Sequence, residues 1–403
     1  MTPRVPAMPR LEPASRIRLH DLAKRPDNGE WLVGRFDTRR FVALPDAGVT
    51  ALDLLGQGLT VEQTTQRMNR AFDIRSFAED LVALGFVAEV DGRPVPGERP
   101  LPATFARVRP EHLRFALSPA LPVLFCGLML AAIAVLVARP ELLPGARDLL
   151  WSPHGSLVLV LSAVAGWSLV FAHELGHFVI ARATGVHARI RLGTRLQFLV
   201  AETDISGIEL APRRHRLTAY LAGMAVNLST AAVTVLLLAV TDAASTAHRM
   251  LAAGLLIALL PLPFQFMVFM RTDLYFVLQD LMACRDLFGD GRAYARYTWH
   301  RLRRAVTARG RTSDDPSRDL PAHERRAVRV YSVVLVAGTA VCLTALATLT
   351  LPADLALIAR AVGELGPGHP MTARLDGAVV VAVLGGVHML WAVTWWRRRR
   401  AGS

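Results

Sequence analysis

The sequence predicts a mainly α-helical, polytopic membrane protein with a small α/β domain at its N-terminus. Its 403 residues are 52% hydrophobic and have a positive mean hydropathy of +0.34, which favours a membrane protein over a set of soluble domains. After the first hundred polar residues come six apolar stretches, each of about twenty residues, the length that crosses a bilayer core. Short alternating and helical patterns precede them.

The N-terminal region contains signals for both strands and helices. Residues 1–18 are rich in proline and arginine and are predicted to be flexible. Residues 19–92 form the predicted α/β domain, in which Thr60 and Gln63 have the spacing of a helix capping box and Asp73 caps a further helix. The predicted elements are a hairpin of 31–36 with 40–44, helices over 47–55, from Thr60 and from Asp73, and a strand over 86–90. With no secretory signal peptide before the apolar run near Ala116, this domain is expected to stay in the cytoplasm.

A proline-rich linker, 93–115, leads to the predicted membrane segments. A membrane core over 116–287 is followed by a basic cytoplasmic loop over 288–326, then by a C-terminal hairpin with a basic tail over 327–403. The six predicted spans are 116–138, 156–181, 217–241, 249–270, 327–350 and 376–396.

Arginine distribution predicts the orientation of these spans. The connections after the second and fourth spans are rich in arginine, as is the C-terminus, whereas 139–155, 242–248 and 351–375 are poor in it. Positively charged residues stay on the cytoplasmic side. Both termini are therefore predicted to lie on the cytoplasmic side of a bacterial cytoplasmic membrane. The net charge of +13 is then accounted for by loops and lipid headgroups rather than by nucleic acid.

The motif of greatest chemical interest is His173-Glu174-Leu-Gly-His177, at the end of the second apolar stretch. Ionisable residues inside a membrane-length segment mark functional sites. Histidines four apart lie on one helix face and can bind one ion, and the glutamate between them can take a proton from water there. The motif predicts one Zn²⁺ per chain, with His173 and His177 as ligands and Glu174 as general base. Cys126, Cys284 and Cys342 form neither a disulfide framework nor a metal site.

Catalytic zinc requires a third protein ligand. Asp273 ends the fourth predicted span, so the predicted topology brings it to the same depth as the motif. Asp204, in the loop after the motif, is an alternative ligand whose other role is to form a turn. The remaining polar candidates are expected to contact solvent, headgroups or local arginines: His187, His215, Asp280 and Asp286.

From about Gly155 to Leu287, the chain resembles the site-2 protease family of intramembrane zinc metalloproteases, in its bacterial peptide-maturation branch. His173, Glu174 and His177 match the family's H-E-x-x-H and Asp273 its distal ligand, while Gly223 and Asn227 match a Gly-x-x-x-Asn of the third core span. The resemblance implies endopeptidase activity, with weaker substrate-binding roles for Asn227, Gln265 and Gly223. Three positions depart from the family pattern, since Leu274 stands where the family has a glycine, Gln265 where it has an asparagine and Val268 where it has a proline.

The N-terminal domain resembles the PqqD-like winged-helix domain, through its hairpin, Gly58-Leu-Thr-Val-Glu-Gln63 and Leu84-Gly-Phe-Val87. That resemblance implies recognition of a leader peptide, and hence leader removal from a ribosomally made, modified peptide. The alternatives are intramembrane proteolysis of a membrane-bound regulator, or a non-catalytic component of peptide export or immunity. Asn227 remains open between a substrate or oxyanion role and an interhelical hydrogen bond.

Overall fold

The computed structural model describes residues 11–27, 29–38, 40–69, 72–96, 104–105, 107–152, 155–195, 198–307 and 314–401. The chain is divided into two compact units. The first contains the described residues up to Phe115 together with Ile180–Arg189 and Asp204–Arg216, and the second contains the remainder.

The first unit is built on two three-stranded antiparallel sheets. One has the strand order β2, β3, β4 and includes the predicted hairpin, with Trp31 opposite Leu44 and Arg35 opposite Arg40. The other has the order β1, β5, β6. The strands are β1 (Ile17–Leu19), β2 (Ala23–Asp27), β3 (Glu30–Arg35), β4 (Arg40–Leu44), β5 (Val87–Val90) and β6 (Arg93–Pro94).

Three helices connect these sheets, as the sequence predicts: α1 (Asp46–Gly56), α2 (Val61–Arg67) and α3 (Ile74–Ala83). The capping box is present, because the Gln63 amide donates to Thr60 Oγ1 at 3.2 Å and the Thr60 amide donates to Gln63 Oε1 at 3.0 Å. Asp73 Oδ1 accepts from the Ser76 amide at 3.0 Å. These caps satisfy backbone donors that have no partner inside a helix.

The described part of the N-terminal segment differs from the flexible chain predicted for 1–18, of which residues 1–10 lie outside the described residues. Leu11 and Ser15 are buried, and Ile17 pairs with Val90 in the second sheet. Ser15 Oγ also donates to Asp91 at 2.8 Å. Isolated apolar residues among prolines and arginines have no periodicity. The sequence pattern therefore does not predict that they pack against residues far along the chain.

Six helices of the described chain are long and apolar enough to cross a membrane, and they indicate a membrane-spanning protein. The mainly α-helical class with a small N-terminal sheet region is thereby confirmed. The candidate spans are Ala120–Ala138, Ser156–Ala183, Arg213–Val240, Thr246–Gln265, Ala322–Thr348 and Met371–Arg397.

The second unit contains most of the helical chain. A short helix, α4 (Pro110–Leu113), lies in the predicted linker of the first unit, of which 97–103 and 106 lie outside the described residues. The remaining elements are α5 (Ala120–Ala138), α6 (Gly155–Ala183), β7 (Arg189–Arg195), β8 (Phe198–Asp204), α7 (Arg213–Val240), α8 (Thr246–Leu259), α9 (Pro261–Gln265), α10 (Asp273–Leu281), α11 (Leu287–Thr307), α12 (Ala322–Ala345), α13 (Leu351–Glu364) and α14 (Met371–Ala401).

The prediction that the fourth span extends to residue 270 as one helix is wrong at its C-terminal end. α8 stops at Leu259, α9 follows, and a short 3-10 turn covers Val268–Met270. Pro261 and Pro263 lack backbone N–H groups, and proline inside a helix removes a hydrogen bond and crowds the preceding turn. Asp273 is therefore the first residue of α10 and not the last residue of a straight span.

Two predicted connections are largely helical. The basic loop predicted over 288–326 contains most of α11, with residues 308–313 outside the described chain. The connection predicted over 351–375 contains α13, which continues from α12 through a π-helical turn at Leu346–Thr350. α13 packs against α14, where Asp354 Oδ2 lies 3.3 Å from His388 Nε2.

Candidate metal centre

The motif helix α6 places both histidines on one face. His173 and His177 are four residues apart, about one turn of helix, and their Nε2 atoms lie 3.2 Å apart. Both side chains are buried, as is that of Glu174 between them. The spacing in the sequence thus produces the predicted pair directly.

Small residues allow α7 to approach this face closely. A Cβ atom built on Gly176 would lie 3.0 Å from Val226 Cγ2 and 3.1 Å from the Ala222 carbonyl oxygen. A Cβ atom built on Gly223 would overlap the His173 ring. Glycine at both positions is therefore required for the two helices to pack around the motif.

Contacts with α7 orient both imidazoles. His177 Nδ1 lies 2.7 Å from the Ala219 carbonyl oxygen, and His173 Nδ1 lies 3.4 Å from Asn227 Oδ1. An oxygen acceptor at Nδ1 favours the tautomer with its proton there, which leaves the Nε2 lone pairs directed at each other. Metal-binding histidines have such outer partners. Asn227 is buried and lies on the Nδ1 side of His173, the position of a supporting interhelical contact.

Asp273 follows His173 by 100 residues in the chain, and its carboxylate lies beside the two imidazoles. Its Oδ2 lies 3.0 Å from His173 Nε2 and its Oδ1 lies 3.3 Å from His177 Nε2. Burial by itself raises the pKa of a carboxyl group, yet His177 and His173 hold the pKa of Asp273 below its ordinary value. This lowered pKa favours the ionised carboxylate, the form that binds a metal.

These three groups fit a cation with tetrahedral coordination. Ligand atoms about 2.0–2.1 Å from zinc are separated by about 3.3 Å along a tetrahedral edge. The two Nε2 atoms lie 3.2 Å apart, and the carboxylate approaches them with different oxygens, Oδ2 at 3.0 Å from His173 and Oδ1 at 3.3 Å from His177. Protonating both imidazoles instead would satisfy the carboxylate but would point two N–H groups at each other. One cation satisfies all three contacts.

Glu174 completes the cluster. Each of the three motif residues offers one potential metal-ligand atom, and these atoms lie within 4.8 Å of one another: Glu174, His173 and His177. The hydroxyl of Thr203, on strand β8, donates to the Glu174 backbone carbonyl at 3.0 Å. Two features of the site thus have little signal in the sequence: Thr203, and the Ala219 carbonyl, which any residue type would supply.

The alternative ligand, Asp204, takes part in a local turn, as its second predicted role requires. Its Oδ1 accepts from the Ser206 amide at 3.3 Å and from the Ser206 hydroxyl at 2.6 Å. Asp286 similarly accepts from the Gly289 amide at 2.9 Å. Asp273 is the carboxylate for which the structure gives contacts with both histidines.

Comparison of the chain with protein-family models, with curated proteins and with solved structures returned no match. The functional interpretation therefore depends on the residues and their geometry.

Proposed function

We propose that the chain is a membrane-embedded zinc endopeptidase similar to the site-2 proteases. The observation that carries the proposal is the convergence of His173, His177 and Asp273 from two distant segments, with 3.0–3.3 Å between their nitrogen and oxygen atoms. His173, His177 and Asp273 would hold the metal, leaving the open fourth position of a catalytic site.

Zinc at this site would supply a Lewis acid that lowers the pKa of water and polarises a carbonyl group. Glu174 then accepts a proton from water as the water oxygen bonds to the peptide carbonyl carbon. When the C–N bond breaks, Glu174 returns that proton to the leaving amine nitrogen. The water oxygen remains in the new carboxylate, so the reaction is a simple hydrolysis.

The substrate backbone must be extended, because helical carbonyl groups are already hydrogen-bonded. Strand β8 provides a nearby template, since Thr203 on this strand contacts the backbone of Glu174. β7 and β8 form a two-stranded sheet, and a substrate strand could pair with its edge. Residues 196 and 197, between these two strands, lie outside the described chain.

For the first unit we propose a PqqD-like winged-helix module that binds a leader peptide. The sheet β2–β3–β4 has β4 at one edge, and β6 lies at the edge of the sheet β1–β5–β6. The same unit includes the end of α6, where Arg182 donates to the Val108 carbonyl at 3.0 Å and the Thr104 amide donates to Ala188 at 3.2 Å. These bonds attach the described linker residues to the chain that follows the motif.

The proposed substrate is thus the precursor of a ribosomally made, modified peptide, and the reaction removes its leader. We place the protein in a bacterial cytoplasmic membrane with both termini inside, because the arginine-rich connections follow the second and fourth spans. This orientation puts the motif near the cytoplasmic face, where water is available for hydrolysis.

The test is the mass of a candidate precursor co-expressed with the full chain. We expect wild type to release the leader and Glu174→Gln to leave the precursor intact, since glutamine cannot accept the proton. The matched control is Glu141→Gln, a change of the same type at an exposed residue outside the motif and the first unit, which should process normally. Equal processing by wild type and Glu174→Gln contradicts the proposal. Cleavage of a membrane-bound regulator instead of the precursor would favour regulated proteolysis.

A further inference from the structure

Gln265 lies directly behind the third ligand. It is the last residue of α9, and its side chain is buried. Its Oε1 accepts from the Asp273 amide at 3.1 Å, and its backbone carbonyl accepts from the Thr272 hydroxyl at 2.6 Å. These two bonds close residues 266–272 into a loop, which we call the ligand loop.

The bond to Asp273 replaces a missing helix cap. The first amides of a helix have no acceptor within that helix, and Asp273 is the first residue of α10. Thr272 makes no side-chain cap bond at this terminus, because its hydroxyl is directed to Gln265. Since an amide donor must face an acceptor, the Gln265 oxygen, and not its nitrogen, points at Asp273.

Holding the Asp273 nitrogen restricts where the carboxylate can go. The Cα–Cβ bond direction follows from the backbone, and only the χ1 and χ2 torsions then place the carboxylate oxygens. Its two oxygens therefore reach the two Nε2 atoms with few alternative conformations. Metal centres depend on such support, because outer partners align the ligand before the ion binds.

The middle of the ligand loop is held by α12 instead. The Tyr331 hydroxyl donates to the Val268 carbonyl at 3.1 Å. The Phe269 ring packs so closely on Gly338 that a Cβ atom there would overlap it. These contacts fix where the loop lies, whereas the Gln265 side chain contacts the ligand residue itself.

We infer that Gln265 is a positioning residue for the third metal ligand, and not the substrate contact that the family resemblance implies. This inference rests on the proposed metal centre. It separates two roles that the sequence cannot distinguish, because an amide two turns before an aspartate is compatible with either. A substrate contact changes KM, whereas a positioning residue changes metal affinity.

The experiment measures cobalt affinity and the cobalt d–d absorption spectrum of the full-length protein in detergent. Gln265→Met has a similar size but no acceptor, so we expect affinity to fall about 10–100-fold, as for other outer partners, with an altered spectrum. Gln265→Glu keeps an acceptor oxygen and should stay within a few-fold of wild type. Gln265→Asn is one methylene short and should fall between them. Gln66→Met, an exposed change in α2, is the matched control and should bind as wild type.

A Gln265→Met protein with wild-type cobalt affinity and spectrum, but with a raised KM for the precursor, overturns the inference. Should that variant not fold, equal cobalt affinity of Gln265→Glu and Gln265→Asn overturns it in the same way. A wild-type protein that binds no cobalt overturns the metal centre itself, and the role of Gln265 with it. The two failures are therefore distinguishable.

Discussion

The helix α6 and the segment around the ligand loop bring residues to the proposed metal centre by different physical means. α6 is continuous over Gly155–Ala183 and positions two histidines through its own periodicity. The ligand loop contains a 3-10 turn and a residue, Arg271, with a left-handed backbone at φ 58°. It positions one aspartate through bonds to Gln265 and Tyr331. A locally determined ligand pair is thus completed by a ligand whose position depends on tertiary contacts.

The largest expected effect is the loss of that third ligand. Asp273→Ala leaves two histidines facing an open site, so zinc affinity should fall by more than the roughly 10–100-fold cost of an outer-partner change. Asp204→Ala is the matched control and should keep wild-type affinity, because Asp204 is engaged with Ser206. Zinc content after dialysis, with competition against a chelating dye, measures both. Loss of zinc from Asp204→Ala with retention by Asp273→Ala would reverse the ligand assignment.

The next effect tests the locally determined half of the site. Gly223→Ala places a Cβ atom into the His173 ring, and overpacking of this kind costs about 1–3 kcal/mol. The histidine must rotate or α7 must move, so we expect lower zinc affinity and a lower melting temperature.

Gly166→Ala is the control, since a Cβ atom on Gly166, in the same motif helix, meets no atom within 4 Å. Alanine is the better helix former by about 1 kcal/mol, so this variant should be neutral or slightly stabilised. Thermal unfolding and zinc titration distinguish the two glycines. Equal behaviour would show that close packing on His173 is unimportant.

The smallest effect concerns the backbone of the ligand loop. A left-handed conformation costs an ordinary residue about 1–2 kcal/mol, and glycine adopts it freely. Arg271→Gly and Arg271→Ala both lose the guanidinium, which lies 5.3 Å from the Phe288 ring centroid. We expect the glycine variant to be more stable than the alanine variant by about 1 kcal/mol in chemical unfolding. Identical stabilities would mean that the loop relaxes when the arginine is removed.

Much of the fold could be predicted because its signals are local. Thr60 with Gln63 and Asp73 with the Ser76 amide are contacts three residues apart, and apolar runs of membrane length need no partner to be recognised. The break after Leu259 was missed although Pro261 and Pro263 mark it, because hydropathy averages over them. α11 was missed because charge dominated its composition, and the burial of Leu11 was missed because its partners lie far along the chain.

By itself the sequence determined the six apolar helices, the paired histidines with Glu174 between them, and Asp273 as a candidate third ligand. Helical spacing and hydrophobic length are properties of neighbouring residues, so a linear pattern contains them. Only the tertiary structure decided that Asp273 meets both Nε2 atoms and that Gly223 admits the His173 ring. It alone placed Gln265 behind Asp273. Those relations join residues tens of positions apart, and their free energy comes from packing and hydrogen bonds that exist only after the helices meet.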